Sequence, residues 1–181
     1  MKKVFTVCLL AFVCIAGSVS AGEEKEEGAQ EQSLSVAKLK KEARARMAKD
    51  AMFYSLGERE EIEKLYQSWM AKRGKERQAV AITMLRRFPK ANRTGCAMLY
   101  LAQDNARQKR IDLLKQVIRD HGDCWYGNGV QVGALARYHL IVILKEIGKQ
   151  EEAEKYREEL KTDFPDAINH AGKPLAEQFN D

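Results

Sequence analysis

The sequence predicts an all-α fold of stacked antiparallel helical hairpins, about three repeats long. Three observations point there. The stretch Arg-Arg-Phe88-Pro89-Lys-Ala91 returns as Thr-Asp-Phe164-Pro165-Asp-Ala167, with a degenerate version, His121-Gly122-Asp123-Cys124, between them. The outer copies each close a helix-like run that opens on a Gly-Lys turn, at Gly74-Lys75 and Gly148-Lys149. Only three prolines occur in 181 residues, and no run alternates apolar and polar residues as a half-buried strand does. Recurrence of this kind belongs to a chain assembled from similar units that bury their apolar faces against one another.

The chain opens on Met1-Lys2-Lys3, then an uncharged apolar run from Val4 to Ala16, then Val19-Ser20-Ala21. This is the layout of a secretory signal peptide, residues 1–21, with cleavage expected after Ala21. The apolar run falls short of the ~20 residues a membrane-spanning helix needs, which argues against a retained anchor. Val13 is too bulky for Cys14 to be a lipidation site. A periplasmic or secreted location is expected, with no transmembrane segment left after signal removal.

Removing Lys2 and Lys3 lowers the formal net charge from +5 to +3, too little to argue for nucleic acid. The charge is uneven. Residues 22–32 carry a net −4 and residues 33–93 a net +9, while residues 94–181 carry −2. The Glu-, Gly- and Gln-rich segment 22–34 has no apolar anchor and is expected to be a disordered acidic tail. Residues 35–181 form the helical repeat domain.

Within that domain the elements read in order. Val36, Leu39, Ala43, Met47 and Ala51 recur at helical spacing among basic residues. Ser55 and Glu58 form a capping box for a helix carrying Ile62, Leu65, Tyr66, Trp69 and Met70. The return helix stops at Pro89. Thr94 is placed to cap a helix with Met98, Leu99 and Leu101, and Asp104-Asn105 turns into one with Ile111, Leu114, Val117 and Ile118. A Gly-rich connector, Trp125 to Gly129, leads to a helix over 135–147 that is apolar nearly all round and is therefore expected to be buried. The last return helix shows one stripe, Ala153, Tyr156, Leu160 and Phe164, and a short tail element starts at Pro174.

The repeat endings at 88, 121 and 164 are separated by 33 and 43 residues. The third unit, with Gly148, Ala153, Leu160 and Pro165, resembles the tetratricopeptide repeat superfamily, whose units span about 34 residues. The first unit keeps Gly74, Ala79 and Pro89. The second departs from the pattern, with Arg110 for the alanine and Gly122 for the proline, and no unit carries the family's tryptophan or leucine-glycine signature. The resemblance covers residues 58–170. Among exported members it points to periplasmic repeat proteins that coordinate envelope assembly or division. It implies a non-enzymatic scaffold for protein-protein interaction, whose first helices line a groove for a partner peptide or helix. Tyr66, Trp69, Tyr100, Gln103, Arg137 and Tyr138 are the candidate groove residues by position.

The remaining candidates are few. Cys96 starts one helix and Cys124 follows the end of its partner, so an antiparallel hairpin brings both to one base. A disulfide is expected there, closing a 28-residue loop worth ~3 kcal/mol, against the alternative of two separate buried thiols. His121, His139 and His170 lack metal-ligand spacing, so no metal or other cofactor is expected. His139 reads as a packing residue. No phosphate loop, nucleophile elbow or dinucleotide fingerprint occurs, so no enzyme is expected. Trp125 and Tyr126 either cover the hairpin bases or form a binding lip, and covering is favoured. The rival functional reading is an envelope-surface binder of anionic lipid or glycan, through Arg86, Arg87, Lys90 and Arg93 of the basic half.

Overall fold

A computed structural model describes residues 20–179. Of the expected signal peptide, residues 1–19 lie outside the described residues. The chain divides into two units, residues 1–33 and 34–181. Among the described residues there are seven α-helices: α1 (Ser20–Ala48), α2 (Leu56–Ala71), α3 (Gly74–Arg87), α4 (Asn92–Gln103), α5 (Arg107–His121), α6 (Val132–Glu146) and α7 (Gln150–Asp163). Short 3-10 turns cover Lys49–Met52 and Ala176–Phe179, and the β-structure described is limited to two isolated bridges. The all-helical class is as the periodicity predicts. The acidic segment differs: residues 22–32 lie within α1, and its Glu, Gln, Lys and Ala are strong helix formers.

In the larger unit the helices pair as hairpins, α2 on α3, α4 on α5 and α6 on α7. Each return helix also packs on the next hairpin, α3 on α4 and α5 on α6, and the first helices touch in series, α2 on α4 and α4 on α6. The turns are made where the Gly-Lys pairs stand, with Gly74 at φ 51° and Gly148 at φ 77°, conformations that favour glycine. The capping box at α2 is formed. The Ser55 hydroxyl accepts from the Glu58 N–H, and the Glu58 carboxylate accepts from the Ser55 N–H at 2.8 Å. Thr94 does not cap α4. It sits inside the helix, where its hydroxyl donates to the Phe88 carbonyl at 2.8 Å.

The deepest helix is α4 rather than α6 alone. From Asn92 to Ala102, every residue of α4 is buried except Arg93 and Tyr100. The core runs from there through Leu114 and Val117 of α5, Leu140, Ile141 and Leu144 of α6, and Leu160 of α7.

Residues 34–48 of α1 lie along the ends of the hairpins. Lys38 pairs with Asp166 at 3.2 Å, Leu39 approaches Gly129, and Arg46 donates to Asp123 at 2.7 Å and to the Lys90 carbonyl at 3.1 Å. One helix thus touches all three repeat endings. The eight residue steps from Lys38 to Arg46 rise about 12 Å. Of the apolar stripe read from sequence, Leu39 and Ala43 are buried and Val36 and Met47 half-buried, whereas Ala51 falls past the end of α1 and is exposed.

Candidate functional site

Burial of α4 on nearly every side leaves one strip of it open, and the aromatic residues gather beside that strip. Tyr66 stacks on Trp69 with ring centroids 5.2 Å apart, and Trp69 meets Tyr100 edge-on at 5.4 Å. Two arginines complete the row. Arg93 lies over Tyr66 at 4.4 Å and pairs with Glu63 at 2.9 Å. Arg77 is itself buried and lies 5.2 Å from Trp69 and 4.7 Å from Tyr100. Its guanidinium donates to the carbonyls of Trp69 and Met70, both at 3.3 Å. These are last-turn carbonyls of α2, where the helix dipole favours a cation, and the rings add cation–π attraction. Burial pushes the Tyr66 hydroxyl up to about 12, so it stays protonated at neutral pH.

Tyr100 is the open member of the row, 37% exposed on a helix otherwise nearly sealed. Gln103 follows one turn later, half-buried, and its carbonyl accepts from Arg110 at 2.7 Å. The connector supplies the other border. Tyr126 donates its hydroxyl to the Cys96 carbonyl at 2.9 Å, and His170 meets its ring at 4.7 Å. Trp125 is bound through its backbone, its N–H donating to Asn92 Oδ1 and its carbonyl accepting from Asn92 Nδ2, both at 2.7 Å. The connector aromatics therefore cover the hairpin ends.

Of the six groove candidates, the structure brings Tyr66, Trp69 and Tyr100 into contact and sets Gln103 at the end of the same helix as Tyr100. The contacts of Arg137 and Tyr138 are with other residues. Arg137 pairs with Glu159 at 2.9 Å and lies 4.8 Å over the Phe164 ring, while Tyr138 is met by Phe179 at 5.1 Å. The tail residues around Phe179, which have no periodic pattern long enough to read, cover that part of α6.

The disulfide is not formed: Cys96 and Cys124 are free, buried thiols. The hairpin base does bring them near, yet each turns to its own partner. Cys96 Sγ donates to the Trp125 carbonyl at 3.4 Å, and Cys124 Sγ accepts from Arg46 at 3.6 Å. Burial raises both thiols, Cys124 to about 12, which leaves little thiolate at neutral pH. The basic cluster is also partly spent. Arg87 pairs with Glu61 and Arg93 with Glu63, leaving Arg86 and Lys90 exposed without an ion pair among the described residues. His139 is half-buried against Tyr138, and burial lowers it to about 4. No group of three His, Cys, Asp or Glu residues that could hold a metal occurs among the described residues.

Sequence reasoning missed Arg77, and it missed the network around Arg46. Arg46 pairs with Asp50 at 2.9 Å, both buried, and Asp50 accepts from the Asn92 N–H at 3.0 Å. A signal for this existed: residues 39, 43, 46 and 50 fall on one helical stripe, so two opposite charges sit on the apolar face. No helix among the described residues is long and apolar enough to cross a membrane. No family model, curated protein or solved structure matches the chain.

Proposed function

We propose that the protein is an exported, non-enzymatic interaction scaffold of tetratricopeptide-like hairpins. It holds a peptide or helix of a protein partner along the α2–α4 face and serves in assembly of the cell envelope. The observation that carries this reading is Tyr100: a large aromatic, open to solvent, on the most deeply buried helix of the fold. Trp69 and Arg77 hold its ring in place, so little ordering entropy is lost when a partner docks on it. Aromatic and arginine residues of this kind are the usual anchors of protein interfaces. Tyr66 and Trp69 are buried beneath this face, so its open surface is Tyr100 with half-buried Arg93 and Gln103, and the tail covers Tyr138 of α6. A short segment of partner fits such a surface better than a long one.

The test is site-specific photocrosslinking with the reactive group placed at Tyr100 and, as a control, at exposed Gln108 of α5. A protein crosslinked from Tyr100 in the native envelope fraction, absent from Gln108 and retained at high salt, supports the reading. Tyr100→Ala and Gln103→Ala should then each weaken binding of that protein at least about tenfold in chains that circular dichroism shows to be folded. Crosslinks that do not discriminate between the two positions sink it.

A further inference from the structure

The corner between α1 and α2 exposes more apolar surface than any other short segment described. Met52 is 78% exposed, Phe53 49% and Leu56 66%, within five residues. Folding does not use these side chains for the core, and large exposed apolar clusters mark contact surfaces. The corner is also held firmly. Tyr54 beside it accepts from the Lys90 N–H at 2.9 Å through its hydroxyl and packs edge-on against Phe88 at 5.6 Å. Phe53 meets the Tyr54 ring at 6.4 Å and stays outside.

Charge decides what the corner fits. Lys49, Arg59 and Lys90 are exposed around it and make no ion pair among the described residues, and Lys90 Nζ stands 4.8 Å over the Phe53 ring. Of the nearby acids, Asp50 is buried on Arg46 and Glu61 is paired with Arg87. Glu58 is bound only to the uncharged Ser55 and keeps its charge, so Glu58 and Glu60 stand against three cations. Apolar side chains at the centre with free cations at the rim match a lipid surface, where the chains enter the acyl boundary and the cations meet anionic head groups.

We propose that this corner, Met52, Phe53 and Leu56 with Lys49, Arg59 and Lys90, docks the protein on a bilayer surface bearing anionic lipids. It is distinct from the Tyr100 face and does not depend on it. Docking is interfacial and reversible: three side chains insert shallowly, the cations supply the attraction at a distance, and high salt releases it.

The experiment uses the full chain carrying Phe53→Trp and vesicles with brominated acyl chains. One set is phosphatidylcholine alone, the other equimolar phosphatidylcholine and phosphatidylglycerol. Emission is read as the difference from the unsubstituted chain, which removes the signal of Trp69 and Trp125. The introduced tryptophan should be quenched in the anionic vesicles, unquenched in the neutral ones, and released at high salt. Lys49→Glu with Lys90→Glu in the same background should raise the lipid concentration for half-quenching about tenfold or more. Each altered side chain is exposed, and circular dichroism confirms that the variants are folded. Absence of quenching in anionic vesicles overturns the proposal, and so does quenching that ignores the charge reversals. Sedimentation showing a dimer that Leu56→Ser dissociates would assign the corner to a second copy of the chain and overturn it equally.

Discussion

Residues 121–132 and 164–175 trace one backbone path with different side chains. Cys124 donates to the His121 carbonyl as Ala167 does to that of Phe164, and Tyr126 donates to Val130 as Asn169 does to Lys173. Gly129 to Tyr126 matches Gly172 to Asn169, and Val132 to Cys124 matches Leu175 to Ala167. Every pair is offset by 43 residues. Few positions are shared: Asp123 with Asp166, buried small Cys124 with Ala167, positive-φ Gly129 with Gly172, and buried apolar Val132 with Leu175. The other positions differ. So does the element each connector leads into, the 15 residues of α6 in one case and the four of the 3-10 turn in the other. The path therefore rests on a small buried residue, one left-handed glycine and an apolar anchor. The remaining positions are free to meet different surroundings. The first connector meets the buried Arg46 network. The second meets exposed Lys38.

The largest break in that comparison is Arg46→Ala. It leaves the Asp50 carboxylate buried with the Asn92 N–H but without its cation. A buried charge that loses its partner costs ~3–5 kcal/mol, and urea denaturation should read that loss. A loss under ~1 kcal/mol would mean that the first connector is held no more tightly than the second. Gly129→Ala comes next. An added Cβ would lie 3.1 Å from Leu39 Cβ and 3.2 Å from the Lys40 nitrogen, at φ 93°. Strain and crowding together should cost ~2–3 kcal/mol. Gly172→Ala meets open space at φ 77° and should cost ~1 kcal/mol, the conformational part alone. Equal losses at the two glycines would show that α1 does not press on the first connector.

These contrasts also mark how far the sequence can be read. Pro89, Pro165, Gly74, Gly148 and the Ser55–Glu58 box act locally, through fixed φ, left-handed turns and an N-cap, so they are legible as punctuation. The apolar stripes of α2, α5 and α7 are legible by period. The shared connector path is hidden because it is made of backbone hydrogen bonds, which place little demand on side chains. Only the 43-residue step between the second and third endings hints at it. Tyr66, Trp69 and Tyr100 can be found because first helices meet in series in stacked hairpins. Arg137 and Tyr138 instead meet Glu159 of α7 and Phe179 of the tail, and of these two contacts only the docking of the tail has no local pattern in the sequence. The thiols fail to join for a related reason. Shared helix ends bring cysteines near, but the direction of each Sγ depends on Trp125 and Arg46.

His121 and Phe164 occupy matching positions in the two connectors, which makes the difference between them titratable. His121 is buried, and its Nε2 has no hydrogen-bond partner among the described residues. Burial lowers it below its ordinary value of 6.5. The neutral form is therefore the one the folded chain accepts. Its contribution is fully present above pH 6.5 and is lost as pH falls through the lower folded value, because the unfolded chain takes up the proton first. His121→Phe should flatten the fall in stability on acidification and add up to ~1 kcal/mol near neutrality by removing an unsatisfied polar atom. His139, lowered to about 4, keeps a residual slope in the variant between pH 6.5 and 4. An unchanged acid limb in urea titrations across that range would place the pH dependence outside the first connector.

The smallest effect belongs to the second connector's tie to α1. The Lys38–Asp166 pair keeps side-chain exposures of 67% and 55%, so water screens it and both side chains lose rotamer freedom to make it. Lys38→Ala should cost no more than ~0.5 kcal/mol, and less at high salt. Asp123 is also exposed, at 69%, but its partner Arg46 is fixed by Asp50 and the Lys90 carbonyl, so little further ordering is needed to form that bond. A double-mutant cycle on each pair isolates the difference: Arg46–Asp123 should couple by ~1 kcal/mol or more, Lys38–Asp166 by less than half of that. Equal coupling would mean that the rigidity of the Arg46 side chain adds nothing, and that any cation near a repeat ending ties α1 to the hairpins equally well.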